Sequence, residues 1–88
     1  MTWKVEFDNR ARKELRKQDP ETQKRLLTWI SENLTGDANP RDKGAALKGR
    51  FRGLWRYRVG DYRVVCQIKD EEVLILILRI THRKDVYD

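Results

Sequence analysis

Apolar and polar residues alternate at the start of the chain: Trp3, Val5 and Phe7 fall to one side, Lys4 and Glu6 to the other. A period of two is that of a half-buried strand. Asp8 or Asn9 then stands where a helix cap belongs, followed by Ala11 and Leu15 one turn apart and by a dense charged face from Arg10 to Lys17. Asp19-Pro20-Glu21 is a second helix start: a capping aspartate, a proline suited to the first turn and an acid near the positive helix end. Leu26, Leu27, Ile30 and Leu34 form one apolar stripe at helical spacing, and Gly36 ends the helix. From Thr35 to Ala46 the chain reads as loop. Leu47 to Gly53 is short, basic and glycine-bounded, and reads as an exposed arm.

Period two returns twice more, from Leu54 to Val59 and from Tyr62 to Ile68. Gly60-Asp61 between them fits a two-residue hairpin turn with glycine first. Lys69 to Glu72 makes another turn. Val73 to Ile80 is nearly all apolar, as a central strand buried on both faces would be. The tail from Thr81 to Asp88 is short and polar. The expected fold is therefore α+β, one domain over residues 1–88. An N-terminal strand, a two-helix hairpin and a three-stranded antiparallel meander follow in order, with the helices packed on one face of a single sheet.

The turn at Gly60-Asp61 also fixes a register. Val59 faces Tyr62, Arg58 faces Arg63, Tyr57 faces Val64 and Arg56 faces Val65. Trp55, Tyr57, Val59, Tyr62, Val64 and Cys66 then share the core side, and Arg56, Arg58 and Arg63 share the other. Like charges directly opposite each other destabilise a sheet by roughly a few tenths of a kcal/mol. A phosphate bound between the arginines would explain their placement. Neutralisation by acids from elsewhere, such as Glu6 or Asp85, is the alternative.

Charge sharpens that picture. The net charge is +6, and the stretch from Arg41 to Arg63 carries all of it, with eight basic residues against Asp42 and Asp61. Six of the eight are arginines, whose planar forks match phosphate oxygens. The partner implied is an anionic polymer. There is no apolar run of about 18 residues to span a membrane. The opening Met1-Thr2-Trp3-Lys4 has no apolar signal-peptide core. Cys66 is the only cysteine, which excludes an internal disulfide and a four-cysteine metal site. A cytoplasmic protein without cofactor or metal is expected.

Candidate proton-transfer groups are few. His82 is the only histidine, and it follows the last apolar strand beside Arg83. Tyr87 offers a phenol that can move a proton or stack on a base. Cys66 lies on the core side and reads as packing. Arginines with a histidine and a tyrosine suit RNA cleavage by its own 2′-hydroxyl, which needs charge stabilisation on a pentavalent phosphate.

Three segments carry a resemblance. Leu47-Lys48-Gly49, the run from Leu54-Trp55-Arg56-Tyr57-Arg58 through Gly60-Asp61-Tyr62-Arg63, and His82-Arg83-Lys84-Asp85-Val86-Tyr87 resemble the RelE branch of the RelE/ParE toxin superfamily. Val5 to Asp8 followed by Ala11 to Leu15 fits as well. The resemblance implies a RelE-like fold and a toxin of a type II toxin–antitoxin pair. It implies a metal-independent endoribonuclease that cuts mRNA in the ribosomal A site, leaving a 2′,3′-cyclic phosphate and a 5′-hydroxyl. It also implies a cognate, DNA-binding antitoxin that wraps the toxin, and contacts to mRNA and rRNA.

By position, the resemblance makes Arg56, Arg63, His82, Arg83 and Tyr87 catalytic, and Lys48, Arg50, Arg52 and Arg58 RNA-binding. Arg56 and Arg63 would hold the phosphate, His82 would transfer the proton and Tyr87 would orient the 2′-oxygen. The chain departs from the family in two respects. Arg56 and Arg58 stand where the best-known pattern has lysines, and arginine is a poor general base. No glutamate lies between Gly44 and Gly53, where a related branch carries its base. The general base stays open, and so do two rival functions: a ParE-like inhibitor of DNA gyrase and an RNA-binding module without catalysis.

Overall fold

The computed structural model describes residues 2–84. Strand β1 (Lys4–Phe7) leads into helix α1 (Asn9–Arg16), and Asp8 caps it by accepting from the Arg10 backbone N–H. Helix α2 (Pro20–Leu34) starts as its sequence dictates: the Asp19 carboxylate accepts from the Thr22 N–H at 2.7 Å. That bond holds the Asp19 carboxyl below its ordinary pKa of 3.8. Beyond the helix, Gly36 takes a φ of +85° and bridges back to Trp3 through a pair of backbone hydrogen bonds. The start of β1 is thus tied to the end of the helix pair.

Four more strands complete one sheet: β2 (Ala45–Ala46), β3 (Trp55–Val59), β4 (Tyr62–Lys69) and β5 (Leu74–His82). Their order is β1-β5-β4-β3-β2. β3, β4 and β5 form the expected antiparallel meander, and β1 runs parallel to β5 along its outer edge. The register between β3 and β4 matches the reading from the turn, including Arg58 opposite Arg63 and Val59 opposite Tyr62. β2, read from the sequence as loop, is a two-residue strand opposite Trp55 and Arg56. Two alanines carry no periodic signal, so only the pairing reveals it.

The helices cover one face of the sheet. Ala11 and Leu15 from α1 and Leu26, Ile30 and Leu34 from α2 pack on Tyr57, Val59, Val64, Cys66, Ile75, Ile77 and Ile80. Leu27 does not join this stripe and is 42% exposed. One residue past Leu26 is a rotation of about 100°, which takes Leu27 off the buried face. Trp29 takes the flank instead, its ring tilted against Tyr57 at 5.6 Å.

One irregularity decides which way the end of β5 faces. Val65 pairs with Arg79, yet the next residue, Cys66, pairs with Ile77, so Leu78 is an extra residue in β5. Such a bulge reverses which side the following residues face. Below it Ile77 faces the helices, and above it so do Ile80 and its alternate neighbour His82. Thr81 therefore falls on the opposite side with Arg63.

Candidate functional site

The site grows from the β3–β4 turn. Gly60 has a φ of +60°, and Val73 is the one non-glycine residue with positive φ among those described, so Asp61 follows with negative φ. That combination is the type II′ turn, whose twist suits a tight hairpin. It sets Arg58 and Arg63 side by side on the face away from the helices. Neither has a carboxylate partner among the described residues, and Glu6 makes no ion pair with them. Asp85, the other acid considered, lies outside the described residues.

The end of β5 closes the site. The Arg83 N–H donates to the Asp61 carbonyl oxygen at 2.7 Å, which draws the chain after His82 across the turn. Arg58, Arg63, Arg83 and Lys84 then line a cleft of about 380 Å³, together with Gly60, Asp61 and Tyr62. Four cationic side chains around one small cleft make a strong anion site. Asp61 is its one carboxylate among the described residues, 3.9 Å from the Arg83 guanidinium, and both side chains are largely exposed.

The remaining residues expected at the site are distributed around it. Arg56 points to the same side of the sheet but lines a neighbouring cleft of about 460 Å³ with Lys43, Gly44 and Ala45; Arg58 borders both. Lys48, Arg50 and Arg52 are exposed on the loop between β2 and β3. That loop is an ordered turn, closed by Leu47 N–H to the Leu54 carbonyl at 3.0 Å and wound as one 3₁₀ turn over Gly49–Phe51. The Arg50 guanidinium lies 5.2 Å from the centre of the Phe51 ring. Tyr87 lies outside the described residues.

The fold does not bring His82 into the cleft. Its ring stands edge-on to Tyr62 at 5.1 Å, on the helix side, and its Nδ1 accepts from the Lys84 N–H at 3.1 Å. The Tyr62 hydroxyl in turn donates to Gln18 Oε1 at 2.7 Å. Were β5 to alternate regularly through Leu78, with no bulge, His82 would face the same way as Arg63. The bulge is what separates them.

Two other basic residues are used for structure. Arg41, the first cation of the basic stretch, is bidentate to Asp70 at 2.7 and 2.9 Å. Arg79 is held by Glu14, which also accepts from the Ile80 N–H at 2.8 Å and so caps the edge of β5 beyond β1. Sequence reasoning missed Asp61 and Lys84 as cleft residues. It also missed Thr81, which is 5% exposed and opposite Arg63, and whose hydroxyl has no hydrogen-bond partner among the described residues. Pairing β4 with β5 would have found all three, but that pairing depends on a bulge the sequence does not announce. No group of three His, Cys, Asp or Glu side chains comes together among the described residues.

Comparison with known proteins places this geometry. A family model described as the ParE toxin of the type II toxin–antitoxin system parDE matches residues 5–87. The chain is 35% identical to Toxin RelG of Mycobacterium tuberculosis over 99% of its length and 98% of that protein. Among solved structures it is similar to the toxin–antitoxin complex RelBE2 of Mycobacterium tuberculosis, with a TM-score of 0.86 and 29% identity over 97% of this chain and 95% of that one. It is also similar to the archaeal RelE–RelB complex of Pyrococcus horikoshii, with a TM-score of 0.75 and 28% identity over 98% and 100% of the two chains.

Proposed function

The chain belongs to the ParE toxin family of type II toxin–antitoxin systems, and on that footing we propose that it is a ribosome-dependent mRNA endonuclease. It cuts mRNA in the A site by attack of the RNA's own 2′-hydroxyl and so stops translation. The observation that carries this reading is the cleft of Arg58, Arg63, Arg83 and Lys84 around the β3–β4 turn. A pentavalent phosphate gains negative charge, and fixed cations placed around it stabilise that charge more than the ground state. Arg56 and the loop cations Lys48, Arg50 and Arg52 hold the backbone on either side of the cut. Tyr87 orients the 2′-oxygen. A cognate antitoxin restrains the toxin, a reading supported by the antitoxin in the complexes from Mycobacterium tuberculosis and Pyrococcus horikoshii. The work is done in the cytoplasm, where the ribosomes are.

The family description favours one second reading, a ParE-like protein that inhibits DNA gyrase with the same basic surface. Primer extension on translated mRNA after induction separates the two. Cuts that depend on the ribosome and leave 5′-hydroxyl ends are expected. Arg63→Ala should lower the cutting rate by about 100-fold or more, the size of effect seen when one charge-stabilising group is removed. Intact mRNA together with an SOS response would replace the nuclease by the gyrase reading.

A further inference from the structure

Cleavage by a 2′-hydroxyl needs a group that takes its proton, and the cleft supplies one from an unexpected place. We infer that Asp61, at the second position of the β3–β4 turn, is the proton acceptor. This inference rests on the nuclease reading above.

The other side chains around the cleft are donors or are held by partners on the helix side. The guanidiniums of Arg58, Arg63 and Arg83 offer donors and no acceptor. Lys84 brings an ammonium, which has three donors and no acceptor. The Tyr62 hydroxyl is committed to Gln18 on the helix side. His82 is turned to that same side by the bulge at Leu78. Among the described residues lining the cleft, the Asp61 carboxylate is the one group that accepts without donating.

Its pairing supports the role. Two arginine–carboxylate pairs elsewhere are closed: Arg41 to Asp70 at 2.7 Å and Arg79 to Glu14 at 2.9 Å. The Arg83–Asp61 pair is open, at 3.9 Å, with 71% and 64% of the two side chains exposed. Its Coulomb attraction keeps the carboxylate beside the cations, while the length leaves its oxygens and the Arg83 N–H groups unspent. A phosphodiester entering the cleft can take Arg83 by one oxygen and present the adjacent 2′-hydroxyl to Asp61. The backbone bond from Arg83 N–H to the Asp61 carbonyl fixes the two residues relative to each other throughout. In the step itself the 2′-oxygen bonds to phosphorus as its proton passes to the carboxylate. The bond from phosphorus to the 5′-oxygen breaks, that oxygen takes a proton from solvent water, and Asp61 later returns its own to solvent.

Single-turnover cleavage on programmed ribosomes tests this with Asp61→Asn, a change that a turn position tolerates. Binding is read separately on mRNA carrying a 2′-deoxynucleotide at the cut site. Cleavage should fall about 100-fold or more, in the range for a lost general base. Binding should hold or tighten, because a negative charge leaves a phosphate cleft. Wild-type cutting by Asp61→Asn would overturn the inference and leave the nuclease reading standing. So would equal losses of binding and cutting, the mark of a merely structural turn residue. Failure of the wild-type protein to cut at all would overturn the nuclease reading, and the inference with it.

Discussion

At the scale of single residues, burial acts on two titratable side chains of the core in the same direction. Desolvation raises the Tyr57 phenol well above its ordinary 10.0, and it pushes the Cys66 thiol from 9.0 up to about 12. Both groups therefore keep their protons in the folded chain at pH values where the unfolded chain has lost them. Their contribution to stability is complete below about pH 9 and is lost as the pH rises through the folded values. Tyr57 also donates its hydroxyl to the Pro40 carbonyl, which pins the segment before β2 to the core. Tyr57→Phe should cost about 1–2 kcal/mol at neutral pH by leaving that buried carbonyl unpaired. Above pH 10 its further loss should be shallower than that of the wild type, since one of the two groups is gone. Urea titrations at pH 7 and pH 10.5 check both. Residue roles were legible where alternation decided them: Arg58 and Arg63 fell on one side and Cys66 on the other. Arg41 was misread as part of a phosphate-binding surface because its partner, Asp70, lies 29 residues away, beyond the reach of any local pattern.

At the scale of elements, the long and periodic ones were legible, and the short ones were not. The helix caps, the hairpin turn and the apolar β5 each carry a local chemical signal. β2 carries no periodic signal, and the bulge at Leu78 sits inside an apolar run where every residue looks alike. That single bulge decides which side His82 faces, and its place in the sequence beside Arg83 says nothing of that side. β2 does leave one trace in the sequence, the glycine before it. Gly44 has a φ of +79°, and a Cβ there would stand 2.3 Å from the Arg56 carbonyl oxygen and 2.7 Å from Trp55 Nε1. Trp55 Nε1 donates to the Lys43 carbonyl at 2.8 Å, so the side chain cannot swing away freely. Gly44→Ala should therefore cost about 2–4 kcal/mol, adding overpacking to a left-handed backbone. Gly49→Ala is the control. Its φ is +67° but a Cβ there meets nothing within 4 Å, so only the backbone cost of about 1–2 kcal/mol applies. Thermal melts of the two variants should rank in that order, and equal losses would mean that β2 is not held against β3 as closely as the backbone indicates.

At the scale of the whole molecule, the fold sorts its charge. Helices cover one face of the sheet, and cations gather at two places, Arg58, Arg63, Arg83 and Lys84 in the cleft at the β3–β4 turn and Lys48, Arg50 and Arg52 on the loop between β2 and β3. The first is built on paired strands, which hold its cations in fixed places for the one phosphate of the proposed cut. The second is an exposed turn whose Lys48, Arg50 and Arg52 can follow a backbone but cannot define a cut. Salt separates the two contributions, because each phosphate neutralised on a single strand contributes about −0.7 to the slope of log K against log salt concentration. Replacing Lys48, Arg50 and Arg52 together by alanine should reduce the magnitude of that slope by about 2 for a single-stranded RNA. At saturating RNA the same variant should keep its single-turnover cutting rate, since the cleft is untouched. Arg63→Ala should behave in the opposite way, losing about 0.7 in slope while losing most of its rate. Fluorescence anisotropy over a salt series, paired with cleavage at saturation, reads both quantities. If the triple variant lost its cutting rate at saturation, the loop would have to reach the scissile phosphate itself, and the division between a gripping loop and a reacting cleft would be wrong.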